Sequence, residues 1–193
     1  MALRVIAGSA GGITLACPRT GGVRPTMDQV RGAIFSSLAE AVPDARVLDL
    51  FAGVGSLGIE ALSRGAQSVT FVERDRRTLD CIRGNLEKTR LTAGAELICL
   101  DAFAALTRTL STRRFDLVFA DPPYTAADQP KDYAGQLLVN EYLPAILSPG
   151  GLFVLEKSPR HPLPADLNGW DIVRQKRYGT TEVLFLKRPP GDG

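Results

Sequence analysis

The segment Val47-Leu48-Asp49-Leu50-Phe51-Ala52-Gly53-Val54-Gly55 carries an apolar strand pattern straight into a glycine turn, and a helical pattern starts at once behind it. Nothing else in the chain narrows the fold as much. A run that is apolar on both faces belongs inside a parallel sheet covered by helices. Glycines there let the backbone turn sharply and let a ligand approach it closely. From Arg46 onward strand and helix alternate: strands are predicted near residues 46–50, 69–73, 95–100, 115–120 and 151–155, and helices near 56–64, 76–90, 102–109 and 134–147. Gly65 is placed to stop the first of these helices and Asp75 to cap the second. Such spacing implies right-handed crossovers and an α/β fold. Two more strands, near 170–178 and 181–187, are separated only by Gly179-Thr180 and predict an antiparallel hairpin at the sheet edge. Residues 158–168 read as a proline-rich loop and 188–193 as a frayed tail.

Ahead of this unit, Leu3 to Gly8 and Ile13 to Cys17 flank Ser9-Ala10-Gly11-Gly12 and predict a β-hairpin. A loop from Pro18 to Pro25 follows, and Thr26 with Gln29 spells a capping box for a helix running to about Ala41, with Val30, Ile34 and Leu38 as its apolar stripe. The expected organisation is an N-terminal extension over residues 1–25, a catalytic domain over 26–188 and a flexible tail over 189–193. Residues 1–35 carry a net charge of +3 and the remainder −1, which hints at a polyanionic partner for the N-terminal segment.

Composition excludes several classes. At 193 residues the chain can bury a core that needs no disulfide or metal. Cys17, Cys81 and Cys99 have no metal or redox spacing and are expected to be reduced, in a cytoplasmic setting, and packed as small apolar residues. His161 is the only histidine, which argues against zinc and against histidine acid–base chemistry. No apolar run reaches membrane-spanning length, and Gly8, Gly11 and Gly12 interrupt the faint resemblance of the N-terminus to a secretory signal.

By spelling, Gly53-x-Gly55-x-x-Gly58 fits a dinucleotide turn. Asp49 decides otherwise. Placed just before the glycines, its charge repels a pyrophosphate but attracts the α-ammonium of a methionine moiety. Glu73, ending the next strand, is positioned for ribose hydroxyls beside Arg74, and Asp101 for an adenine amino group, with Ala102 and Phe103 against the ring. Any one of these carboxylates alone fits a helix cap or a loop charge. Three at successive strand ends, joined to the glycine turn, favour S-adenosylmethionine over a nicotinamide cofactor. Asp49, Phe51, Gly53, Gly55, Glu73, Arg74, Asp101 and Ala102 form the expected cofactor pocket.

Asp121-Pro122-Pro123-Tyr124 follows the apolar strand Phe115 to Ala120. An aromatic amine is a weak nucleophile because its lone pair is delocalised into the ring. Acceptors on its N–H groups, from the Asp121 carboxylate and the Pro122 carbonyl, favour a pyramidal nitrogen, and the prolines hold those acceptors rigidly. Negative charge also stabilises the positive charge that develops on nitrogen. Tyr124 can stack on an extruded base, a contact worth about 1–3 kcal/mol. Asp121, Pro122, Pro123 and Tyr124 are therefore the expected catalytic residues, acting by methyl transfer onto an exocyclic base nitrogen.

Taken over almost its whole length, the chain resembles the bacterial 16S ribosomal RNA guanine-N2 methyltransferases of the small subunit, the type D enzymes. The resemblance lies in Arg4-Val5-Ile6-Ala7-Gly8, Arg24-Pro25-Thr26, Arg31 with Phe35, Asp49-Leu50-Phe51-Ala52-Gly53, Asp121-Pro122-Pro123-Tyr124 and, more weakly, Arg177-Tyr178-Gly179. It departs at the uncharged Gly12-Ile13-Thr14-Leu15, at Gly32 and at Ser36-Ser37. The resemblance implies a class I, Rossmann-like methyltransferase fold of about seven strands with an N-terminal hairpin. It also implies S-adenosylmethionine as cofactor and 16S ribosomal RNA, within a small-subunit assembly intermediate, as partner of a monomeric enzyme. Arg4, Arg24 and Arg31 are the candidate phosphate contacts. The same motif also serves adenine N6 and cytosine N4 of DNA, although 193 residues leave no separate target-recognition domain. A non-catalytic RNA-binding assembly factor is the alternative from another class.

Overall fold

The computed structural model describes residues 3–17, 28–123 and 132–189. Its centre is one seven-stranded sheet in the order β3-β2-β1-β4-β5-β7-β6. The strands are β1 (Arg46–Asp49), β2 (Ser68–Val72), β3 (Ala95–Ile98), β4 (Phe115–Ala120), β5 (Leu147–Lys157), β6 (Asp171–Tyr178) and β7 (Thr181–Lys187). β1 to β5 run parallel, and β7 inserts antiparallel between β5 and the edge strand β6. This is the class I methyltransferase fold, with the C-terminal hairpin at the sheet edge as its turn residues predicted.

Alternate residues of the central strands feed two cores. Val47, Leu117, Phe119, Val154 and Phe185 face one layer, and Leu48, Val118, Phe153, Leu155 and Leu184 the other. The first layer holds α1 (Asp28–Leu38), α2 (Ser56–Ser63) and α3 (Arg76–Thr89); the second holds α4 (Ala102–Arg108), α5 (Tyr133–Leu138) and α6 (Tyr142–Ala145). Each fully buried Leu or Phe contributes roughly 1.5–3 kcal/mol of transfer free energy. α2 is buried along its whole length, because Gly58 brings it down on β2: a Cβ there would lie 2.2 Å from the Phe71 ring. α3 is amphipathic, burying Thr78, Leu79, Ile82, Asn85, Leu86 and Thr89. Asp75 caps it by accepting from the Thr78 N–H at 2.8 Å, and Gly65, at φ 95°, lies just past the end of α2. In the second layer Trp170, 3% exposed, donates its indole N–H to the Leu138 carbonyl at 3.1 Å and packs on Phe153.

Three expectations change. The helix foreseen over 134–147 is two pieces, because the Asn140 side chain accepts from the Tyr142 and Leu143 N–H groups at 3.0 and 2.9 Å and starts α6 afresh. β5 begins at Leu147 rather than near 151, with a register shift where Ser148 to Gly151 interrupt its pairing with β4. Cys17 and Cys99 are exposed rather than packed as small apolar residues, and only Cys81 is half-buried. α1 is followed by a 3₁₀ turn over Ala39–Ala41; the expected cap at Thr26 lies outside the described residues.

Residues 3–17 form two antiparallel arms with a single bridge, Arg4 to Thr14, supported by backbone bonds from Val5 to Ile13, from Gly12 to Val5 and from Leu15 to Leu3. The hairpin is thus real in path but sparse in ladder. Side chains of α1, α2 and α3, a main-chain bond from Ser9 to the Ser63 carbonyl and the burial of Val5, Ala10 and Leu15 hold it to the body. Gly8, at φ 83°, approaches the end of α2 so closely that a Cβ would lie 1.8 Å from the Ser63 carbonyl oxygen.

Candidate active site

The carboxyl ends of β1 to β4 align, because the ladder continues past the strands: Leu50 donates to Phe119 O at 3.0 Å, Ala52 to Val72 O at 3.0 Å and Glu73 to Ile98 O at 3.1 Å. This edge gathers the predicted residues. Gly53 and Gly55 take φ values of 53° and 79°, in the left-handed region that favours glycine. Beneath them Asp49, 1% exposed, accepts from the Gly58 N–H at 3.0 Å. Burial pushes its carboxyl up to about 7, the Gly58 hydrogen bond opposes that, and the nearby charges of Asp121 and Glu73 push the same way as burial. An acid so placed gains most from a cationic ligand.

Glu73 braces the turn from the next strand, accepting from Gly53 N at 3.0 Å and from Asp75 N at 2.9 Å. Asp101 is exposed and caps α4, accepting from Phe103 N at 3.0 Å and Ala104 N at 3.2 Å. Behind it Ala102 is buried. Arg74 is exposed, and its carbonyl accepts from the Cys99 thiol at 3.8 Å. Phe51 and Phe103 meet edge to face at 6.3 Å, and both contact Tyr133, whose ring stacks on Phe103 at 6.2 Å. Tyr133 completes an aromatic wall that sequence reasoning missed. The only signal for it was an aromatic residue behind the helix-capping Asp132.

β4 leads directly from the buried Ala120 into half-buried Asp121, buried Pro122 and exposed Pro123. The β1–β4 pairing sets this turn beside Phe51 and the glycine turn, and the Coulombic influence of Asp121 on Asp49 places the two carboxylates in one electrostatic neighbourhood. Tyr124 and Arg24 lie outside the described residues.

The two remaining arginines part ways. Arg4 is exposed, 3.9 Å from Asp28. Arg31 is fully buried: it donates to the Arg4 carbonyl and to Asp28 at 3.0 Å, and it lies 3.8 Å from Glu60. Burial lowers its pKa, while Glu60 and Asp28 raise it. The expected phosphate contact by Arg31 is therefore corrected to an internal strut, since its guanidinium has no exposed surface. Glu60, also fully buried, is the hub of that strut. It accepts from Ile6 N at 2.7 Å, Ala7 N at 3.1 Å and Arg64 Nε at 2.7 Å.

The family model described as conserved hypothetical protein 95 matches residues 3–187. The ribosomal RNA small subunit methyltransferase D of Haemophilus influenzae is 34% identical over 180 residues, covering 92% of this chain and 89% of its own. Among solved structures, Escherichia coli yhhF superposes with a TM-score of 0.81 at 28% identity, covering 98% and 99% of the two chains. The 16S rRNA N2 G1207 methyltransferase of Thermus thermophilus, in complex with AdoMet and guanosine, gives 0.68 at 27% identity over 89% of this chain and 45% of its own. With a matching family model, matching relatives and a methyltransferase sheet, the chain belongs to the ribosomal RNA small subunit methyltransferase D family, among the S-adenosylmethionine-dependent RNA methyltransferases.

Proposed function

We propose that the chain methylates the exocyclic N2 of a guanine in 16S ribosomal RNA, using S-adenosylmethionine. The observation that carries this is the placement of Asp121-Pro122 at the end of β4, beside the glycine turn that follows β1. The residues present fit that cofactor. A buried carboxylate under two left-handed glycines suits a cationic, phosphate-free ligand, with Asp49 toward its ammonium group, Glu73 toward ribose hydroxyls, and Phe51, Phe103 and Tyr133 as the apolar wall. When bound, S-adenosylmethionine supplies an electrophilic methyl group.

The chain's own residues then do the positioning. Asp121 and the Pro122 carbonyl accept the N–H groups of the guanine amine and direct its lone pair. The Asp121 charge offsets the positive charge that builds on nitrogen. The rigid Pro122-Pro123 pair keeps both acceptors in place. Tyr124 stacks on the extruded base, and Arg4 and Arg24 contact flanking phosphates. The enzyme acts as a cytoplasmic monomer on a partly assembled small subunit; among the described residues no helix is long and apolar enough to cross a membrane.

The test is methyl transfer to undermethylated small subunits, followed by nucleoside analysis. Wild type yields N2-methylguanosine, and Asp121→Ala loses roughly 10²–10³-fold in kcat, the scale for removing one electrostatic stabiliser of a transition state. Equal activity of the two proteins, or a methylated adenine or cytosine as product, overturns the reading.

A further inference from the structure

The face of α3 turned toward the first layer touches two functional regions at once. Ile82 packs under the cofactor turn, where a Cβ on Gly55 would lie 3.1 Å from its methyl group. One helical turn on, Asn85 is 1% exposed and is engaged from both sides. Its Oδ1 accepts from the Ala16 N–H at 2.7 Å, and its Nδ2 donates to the Ala16 carbonyl at 3.1 Å. The same Nδ2 donates to the Val54 carbonyl at 3.2 Å, within the glycine turn. One carboxamide therefore mimics a strand partner for the end of the N-terminal arm and holds the turn that faces the cofactor. Lys88 continues the row, donating to the Thr14 carbonyl at 2.6 Å. Nδ2 of Asn85 also reaches Cys81 Sγ at 3.9 Å, and that thiol donates to the same Ala16 carbonyl at 3.3 Å, so the buried amide sits in one network and displacement of one region is felt in the other.

We propose that Asn85 is a positioning residue that couples the N-terminal arm to the cofactor turn. Filling the cofactor site fixes Val54, which fixes Asn85, which fixes Ala16 and the arm leading into residues 18–27. By reciprocity, an arm held by substrate stiffens the cofactor site. The value of such coupling to catalysis rests on the functional reading of the arm as the RNA-engaging element.

The test reads the coupling without RNA. Amide hydrogen exchange is followed in the full chain with and without S-adenosylhomocysteine. In wild type the ligand slows exchange at Val5 and Leu15 of the arm by about fivefold or more, together with the amides of the turn. Asn85→Ala retains protection of the turn and loses that of the arm. Ala16→Pro, which removes the N–H that Asn85 accepts and leaves Asn85 in place, does the same at Val5 and Leu15 and covers the case in which Asn85→Ala fails to fold. Arm protection that is absent in wild type, or that persists in both variants, overturns the coupling. Against undermethylated small subunits, the variants show a raised KM with kcat within about twofold of wild type, whereas a general loss of fold lowers the active fraction and so kcat. A wild-type protein that couples arm to turn yet methylates no RNA sinks the functional reading and leaves the coupling standing.

Discussion

The strand-end edge and the N-terminal arm, the two regions to which the proposed function assigns cofactor and RNA, are held by different physics. At the edge, main chain does the positioning: parallel strands end in register, backbone bonds carry the alignment past the strand ends, and carboxylates accept backbone N–H groups. The arm has one bridge of its own and is otherwise tied by a main-chain bond from Ser9 to Ser63 and by side chains of three helices, Arg31, Glu60, Ser63, Cys81, Asn85 and Lys88. The edge is set by the strand ladder, while the arm is held by these polar contacts together with Val5, Ala10 and Leu15, which are buried in the first core. The arm's contacts can therefore change without disturbing the sheet.

Three changes break or sharpen that contrast. The largest effect falls on the arm. Glu60→Ala removes the acceptor for two arm amides and strips Arg31 and Arg64 of a shared buried counter-ion, a loss of about 3–5 kcal/mol. Denaturant unfolding measures it, and Glu60→Gln, which keeps one acceptor, falls between it and wild type. At the edge, Gly58→Ala drives a methyl group into the Phe71 ring and costs roughly 1–3 kcal/mol by overpacking. A thermal midpoint within experimental error of wild type would contradict the close approach of α2 to β2.

The third effect is a pH dependence, smallest close to neutrality. The raised Asp49 carboxyl, titrating at about 7, keeps a proton in the folded state that the unfolded chain has released above about pH 4. Its contribution therefore makes the ligand-free protein less stable as pH rises from about 4 to about 7. A cationic ligand needs the ionised form, so cofactor affinity weakens by about tenfold per unit as pH falls below about 7, the slope for release of one proton on binding. Calorimetric titration of S-adenosylmethionine across that range measures it, and Asp49→Asn flattens both dependences.

The contrast also explains what was legible in the sequence. Val47 to Leu50 and Phe115 to Ala120 announce themselves because strands covered on both faces are apolar throughout. Residues at the ends of such strands, Asp49, Glu73, Asp101 and Asp121, inherit their positions from the sheet and could be read with them. Arg31 could not be read, because its partner Glu60 lies 29 positions away and only folding reveals that both are buried. Asn85 was equally silent: a polar residue on an amphipathic helix looks like surface until the arm packs over it. The break between α5 and α6 escaped for a local reason. Leu137, Leu138, Leu143 and Ile146 keep a helical rhythm across a gap that one asparagine side chain opens.

Trp170 gives the second layer a signal of its own. It is the chain's single tryptophan, it is buried, and it is tied to the carbonyl that ends α5, the helix whose first residue is Tyr133 of the aromatic wall. Tryptophan emission, excited at wavelengths the tyrosines do not absorb, therefore originates at one address, on the layer opposite the arm. Light collected during unfolding tracks the α4–α6 half of the molecule, and the arm can detach in the dark.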